Sequence, residues 1–334
     1  MYPAAFEYHT PASVKEALGL LGKLKDDAKL LAGGHSLIPM MKLRLAQPKH
    51  LIDLRKIPGL TGIKQDGNSL AIGAMTTHWA IESSPLVKSK LAVLSEVASI
   101  IGDPAVRNRG TIGGSLAHAD PAADYPAAMI ALGAEMVCEG TKGRRTVKVD
   151  DWFKGLMATA VGEDEILVEV RVPVLPASTG AAYMKFPHPA SRFAVVGVAA
   201  AITLDSKGAC SKASVGVTGA GTKAVRAKGV EAGCSGKKLD AAAIEAAAQK
   251  AAEGVDVQAD LQGSVEYKSH LCRVFAKRAR STTRHASAHP VRLGSIIRRR
   301  ARRRLEGTSL VDPYPPPPRR LPDNARVGRS RKST

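Results

Sequence analysis

The chain is poor in the residues that would write a metal or cluster site. Its 334 residues include four cysteines, Cys138, Cys210, Cys234 and Cys272, and no C-x-x-C pair, so neither an iron–sulfur cluster nor a thiolate zinc site is encoded. Scattered in this way they fit buried, reduced thiols. No apolar run approaches bilayer length, and the start Met1-Tyr2-Pro3-Ala4-Ala5-Phe6-Glu7 lacks a basic stretch followed by an apolar one. On this reading neither a transmembrane segment nor a leader is expected, and the expected location is cytoplasmic, including the inner face of the membrane. The common nucleotide motifs are missing too: no Lys-Ser/Thr follows a glycine turn as a Walker A loop needs, and no G-x-G-x-x-G occurs.

Acidic residues are in deficit, 30 against 49 basic ones, for a formal charge of +19. The excess is uneven. Residues 281–334 hold fourteen Lys and Arg against three acids (Glu306, Asp312, Asp323), so +11 of the +19 lies there. This segment contains an arginine run at 298–304 and four prolines at 315–318, and has too little apolar periodicity to bury a core, so it is expected to be a disordered basic tail. Aromatics make up 4% of the chain, and none interrupts the arginine run to stack on a base. The tail therefore gives weak support to a nucleic-acid-binding protein, and its Arg- and Pro-rich texture is what a frameshifted extension in GC-rich DNA would give.

What is present is an α+β pattern. Ser13 with Glu16 three residues on forms a capping box before Val14, Ala17, Leu18, Leu21 and Leu24, which predicts a helix over 13–24. Buried strands are expected at 29–31 and 51–54, with a further strand at 70–73 and helices over 78–83 and 85–101. Residues 116–126 read as a polar loop because of their prolines, with helix resuming at 127–132. Residues 166–173 alternate inward and outward, and 173–180 reads as a linker. Strands at 194–204 and 213–218, an Ala-rich helix over 240–253 and a last helix over 264–277 then form a separate unit.

The most informative feature is a pair of glycine turns. Ala32-Gly33-Gly34-His35-Ser36 follows one strand, and Thr111-Ile112-Gly113-Gly114-Ser115 comes some eighty residues later. Paired glycines before a hydroxyl permit tight turns whose main-chain N–H groups can approach phosphate oxygens closely. Two such cradles suit one phosphorylated ligand. His118, Asp120 and Asp124 share one loop, but Pro121 breaks any common face and a fourth ligand is lacking, so no metal site is read there.

Residues 32–54 and 107–127 resemble the FAD-binding medium subunit of the molybdenum hydroxylases, of the carbon monoxide dehydrogenase and xanthine dehydrogenase type, and the resemblance runs to about Arg280. It implies a p-cresol-methylhydroxylase-type FAD-binding fold of two α/β subdomains, about 1–56 and 57–176, then a smaller α+β domain over 177–280. It also implies FAD as cofactor, held by Ala32, Gly33, Gly34, His35, Ser36, Thr111, Ile112, Gly113, Gly114, Ser115, Asp124, Leu167, Lys185 and Phe193, with no catalytic residue and no metal in this chain. Lys185 would sit at the N1/C2 edge of the flavin. Phe193 stands where members of the family often carry tyrosine, keeping the ring face and losing the hydroxyl. Asp124 carries a second reading, as cap of the helix that follows. The implied function is electron transfer: a large molybdenum-cofactor subunit oxidises substrate, a small subunit relays electrons through iron–sulfur clusters, and FAD passes them to quinone or NAD in a dimer of heterotrimers. A self-sufficient FAD-dependent oxidoreductase of the same fold is the alternative.

Overall fold

Ser13 Oγ accepts from Glu16 N at 3.1 Å while Glu16 Oε2 accepts from Ala12 N at 2.8 Å, and this reciprocal cap starts the helix Val14–Leu24. In this computed structural model, which describes residues 2–288, the helix lies on a three-stranded parallel sheet ordered Glu7–His9, His50–Asp53, Ala28–Leu31. Ala17 and Leu18 of the helix are buried with Ala28, Ile52 and Leu54 of the sheet side. Two of the strands match expectation to within a residue. The edge strand Glu7–His9 does not follow from sequence, because three residues are too few to show a period.

The second layer is a five-stranded antiparallel sheet ordered Ile63–Asp66, Ser69–Gly73, Glu165–Pro173, Glu135–Gly140, Gly143–Lys148. Its central strand was expected to alternate, yet Ile166, Leu167 and Val168 are buried in succession. The cause is a β-bulge: the register against Glu135–Gly140 slips between Leu167 and Glu169, leaving Val168 as the extra residue. Ile166 and Val168 join the core of the first sheet, while Leu167, Val170 and Val172 join the larger core of the second.

Several helices differ from the sequence reading for local reasons. The region 85–101 is two helices, Pro85–Lys90 and Ala92–Ser99, parted where Leu91 leaves the helical region at φ −144°. The stretch read as a loop from 116 begins inside the helix Ile112–His118, capped by Thr111. The next helix starts at Asp124 rather than 127, and Pro126 sits in its first turn, where a helix needs no proline N–H. The Ala-rich helix is shorter, Ala241–Ala248, and continues as a 3-10 turn.

The third sheet, antiparallel, runs Thr179–Pro187, Ala194–Leu204, Cys210–Thr218, Val225–Arg226 and is crossed by the long helix Val265–Ala288. That helix extends past the expected 277 into the segment read as tail; the rest of the tail lies outside the described residues. Among the described residues no helix is long and apolar enough to cross a membrane. The mixed content is α+β, as expected.

The nine residues of Asp124–Leu132 are all buried, because this helix is the joint between the second and third sheets. Thr218 Oγ1 donates to Pro121 O and Ala123 O at 2.7 and 2.9 Å, Ala194 N to Ala122 O at 3.0 Å, and Gly219 N to Pro121 O at 2.7 Å. Gly216 brings its strand against the helix backbone, and a Cβ there would overlap the carbonyl of Ala127. Gly216→Ala is therefore expected to cost about 1–3 kcal/mol by overpacking. The check is the urea midpoint of the purified chain; an unchanged midpoint would show that the joint is loose.

A candidate cofactor cleft

A cleft of about 1000 Å³ opens between the first and second layers, large for a ligand site. One wall is the loop after the strand Ala28–Leu31, another the start of the helix Ile112–His118, and a third the turn Ser191–Phe193. Ala32, Gly33, Gly34, His35, Ser36, Thr111, Gly113, Gly114, Ser115, Asp124, Leu167 and Phe193 all line it; Ile112 and Lys185 do not.

The two glycine turns have the same composition but different roles. Among the described residues, the N–H groups of Gly33, Gly34, His35 and Ser36 donate to no protein acceptor. Gly34 holds φ +77°, the left-handed conformation that suits glycine. Four consecutive free donors in one loop form a ready anion cradle. In the second turn the donors are already used: Ile112 N bonds Thr76 O at 3.0 Å, Gly113 N bonds Ala74 O at 2.8 Å, and Gly114 N bonds Thr111 Oγ1 at 3.0 Å. Its glycines serve close approach instead. A Cβ at Gly113 would come within 2.5 Å of Ala74 Cβ, and one at Gly114 within 3.4 Å of Ala32 Cβ. A Cβ on Gly33 would run into the backbone of Arg109 and Gly110, so the two turns touch main chain to main chain.

Lys185 is neither a surface residue nor a lining one. Its Nζ donates to Asp124 Oδ2 at 2.8 Å and to Ile100 O at 3.2 Å, and both side chains of the pair are 5% exposed. Tyr183 donates to the other carboxylate oxygen, Oδ1, at 2.6 Å. Burial raises the Asp124 carboxyl above its usual value, and Lys185 and Tyr183 only partly oppose that. Asp124 caps nothing: it is the first residue of its helix, and Ala123 at the cap makes no side-chain bond. Its carboxylate instead ties the helix to the strand Thr179–Pro187. Phe193 is 44% exposed at the rim, and exposed His35 bonds Gly33 O through Nδ1 at 3.1 Å.

His78 is the cleft residue that the sequence reading missed. It is 5% exposed, its Nδ1 is buried without a partner, and its ring lies 5.3 Å from that of Tyr125, whose hydroxyl is also buried and unpartnered. Burial first, and then the nearby His35 and Arg107, hold its pKa down at about 4, so the ring is neutral. A histidine opening an ordinary capped helix, His78–Ser83, carries no sequence signal of such a position.

A lining that combines free main-chain donors, a neutral orphaned ring and apolar Met75, Ile166 and Leu167 suits a dinucleotide with a flat heteroaromatic head, and so an FAD-binding flavoprotein. Residues 4–175 match the family described as the FAD-binding domain in molybdopterin dehydrogenase, and residues 181–283 match the carbon monoxide dehydrogenase flavoprotein C-terminal domain. The chain is 46% identical to the carbon monoxide dehydrogenase medium chain of Hydrogenophaga pseudoflava, over 84% of this chain and 97% of that one. It is 37% identical to 6-hydroxypseudooxynicotine dehydrogenase complex subunit alpha of Paenarthrobacter nicotinovorans, over 85% of this chain and 96% of that one. The solved carbon monoxide dehydrogenase of H. pseudoflava that lacks the Mo-pyranopterin moiety superposes with a TM-score of 0.83 at 46% identity, covering 86% of this chain and 99% of that chain. The chain belongs to the FAD-carrying medium-subunit family of the molybdenum hydroxylases, and FAD is its cofactor.

Two outcomes follow from the buried groups. The folded His78 stays neutral to about pH 4, while an unfolded histidine takes its proton near 6.5, so stability is lost as pH falls through that window. Between pH 7 and pH 5 this contributes about 2 kcal/mol of acid destabilisation, which His78→Gln should remove in paired denaturation curves. Lys185→Met strands the Asp124 carboxylate and is expected to cost about 3 kcal/mol at neutral pH, less in acid as that carboxyl takes a proton. The double variant with Asp124→Asn should recover part of the loss. If Lys185→Met leaves the unfolding midpoint unchanged, the ion pair is not what joins the helix to the strand.

Proposed function

We propose that this chain is the electron-transfer subunit of a heterotrimeric molybdenum hydroxylase assembled in pairs. It would take electrons from a small iron–sulfur subunit, supplied by a large molybdenum-cofactor subunit, and pass them to quinone or NAD in the cytoplasm or at the inner face of the membrane. The FAD-binding part spans 1–176 and the smaller domain 177–280. The observation that carries the cofactor assignment is the row of free N–H donors at Gly33, Gly34, His35 and Ser36. FAD supplies the ability to accept electrons singly and release them in pairs.

The protein's own part is to bind, orient and shield. The first loop neutralises pyrophosphate through main-chain donors, without a lysine. The second turn, its donors already spent, contributes shape: Gly113 and Gly114 let the helix start sit against Ala74 and Ala32. Leu167 and Phe193 offer apolar surface to the flavin ring, and Phe193 can stack without a hydroxyl. Asp124, the most buried carboxylate of the cleft, is bonded at both oxygens and is not free to act as a base, which favours electron transfer over substrate chemistry at this site. The two relatives carry the names of different substrates, and nothing in the cleft selects between them.

The purified chain should release FAD rather than FMN on denaturation, since the pyrophosphate is what the cradle holds. Gly33→Val should lower FAD occupancy about tenfold or more while the unfolding midpoint falls by far less, because it displaces the loop from Arg109 and Gly110. Co-expression with the molybdenum and iron–sulfur subunits should yield one complex, and substrate-dependent dye reduction should require all three. Turnover by the isolated chain would overturn the assignment in favour of a self-sufficient oxidoreductase.

A further inference from the structure

On the edge of the first sheet away from the cleft, three side chains converge that the flavin site does not use. Glu7 and His9 lie two residues apart on the edge strand and so share a face, and His50 is the register partner of Glu7 on the neighbouring strand. His9 Nε2 and His50 Nδ1 are 3.1 Å apart, Glu7 Oε2 is 3.3 Å from His50 Nδ1, and 3.9 Å from His9 Nε2. Among the described residues this is the one group of three or more His, Cys, Asp or Glu whose ligand atoms come so close together. None of the three lines the cleft.

We propose that Glu7, His9 and His50 form a zinc site with solvent water completing the shell. The circle through the three ligand atoms, fixed by their separations, has a radius of about 2.0 Å, which matches the zinc–nitrogen and zinc–oxygen bond lengths of about 2.0–2.2 Å. A cation slightly above the plane of these atoms reaches all three without moving the backbone. The donor set, two imidazoles and one carboxylate, suits zinc or another borderline first-row ion and disfavours magnesium and calcium, which prefer all-oxygen shells. In the metal-free chain one imidazole N–H must fill the 3.1 Å gap as a hydrogen bond to the other ring. When zinc enters, that proton moves to the far nitrogen of the same ring, both facing nitrogens become lone-pair donors, and no net proton need be lost. Glu7, with 72% of its side chain exposed, leaves the outer side open to water.

The consequence is structural. The edge strand is three residues long, and beyond its pairing it is held by Tyr8, whose hydroxyl donates to Asp53 and accepts from Arg55 at 3.1 Å. A metal bridging this strand to His50–Asp53 would staple the amino-terminal segment to the sheet, and binding energy gained by the folded state alone appears as stability.

The test is a zinc titration of the FAD-loaded chain, stripped with chelator and followed by calorimetry and by thermal unfolding. One zinc per chain is expected at this site, with a rise in the unfolding temperature that EDTA reverses and magnesium does not reproduce. Glu7→Gln, an exposed change that cannot disturb packing, should weaken binding about tenfold or more, and the double variant His9→Gln with His50→Gln should abolish it. Copper(II) loaded in place of zinc should show nitrogen hyperfine coupling from two imidazoles in its EPR spectrum, lost in the double variant. Equal zinc affinity and stoichiometry in the wild type and the double variant, or no saturable binding by the wild type, overturns the proposal. FAD content is independent of all these outcomes, so a failure here leaves the flavin assignment standing.

Discussion

The ion pair between Lys185 and Asp124 organises the region where the flavin site meets the third sheet. One partner opens the buried helix Asp124–Leu132, which borders the cleft, and the other lies on the strand Thr179–Pro187. Desolvating both charges carries a penalty that their attraction offsets only with good geometry and further hydrogen bonds, here one that Tyr183 donates to Asp124 and one that Lys185 donates to Ile100 O. The arrangement gives position more than stability. With both oxygens committed, the carboxylate cannot drift toward a bound ligand, and the helix that carries it stays in register with the loop 120–123 on which the third sheet is seated.

The two glycine turns show how far composition reveals role. Their likeness in sequence suggests two equal cradles, and their hydrogen bonds show a division of labour. The first keeps its donors because the chain there leaves a strand and turns through Gly34 before helix begins at Leu37. The second is helical from Ile112, so its amides face carbonyls of Thr76 and Ala74 and the hydroxyl of Thr111. Whether a glycine pair offers its amides or only its lack of side chain depends on the backbone on either side.

Much of the layout was legible in the chain. Ser13 and Glu16 mark a helix start by chemistry confined to four residues, and strands such as 29–31 announce themselves by apolar runs. What stayed hidden depends on partners distant in sequence. His78 is neutral because the surrounding fold buries it, with His35 and Arg107 nearby, and Lys185 finds Asp124 sixty-one residues away. The bulge at Val168 leaves no mark in an otherwise ordinary strand, and the short strand Glu7–His9 exists only because His50–Asp53 is there to pair with it.

That bulge ties two cores to one strand. By turning the strand over at Val168, it lets one segment give Ile166 and Val168 to the first core and Val170 and Val172 to the second. A ribosome releases the first sheet and its helix more than a hundred residues before this strand exists. Until then the amino-terminal layer lacks the cover that Ile166 and Val168 add to Ile52 and Leu54, and closure comes late, over a long loop. The two cores thus share one strand, so a change at the bulge disturbs both interiors at once.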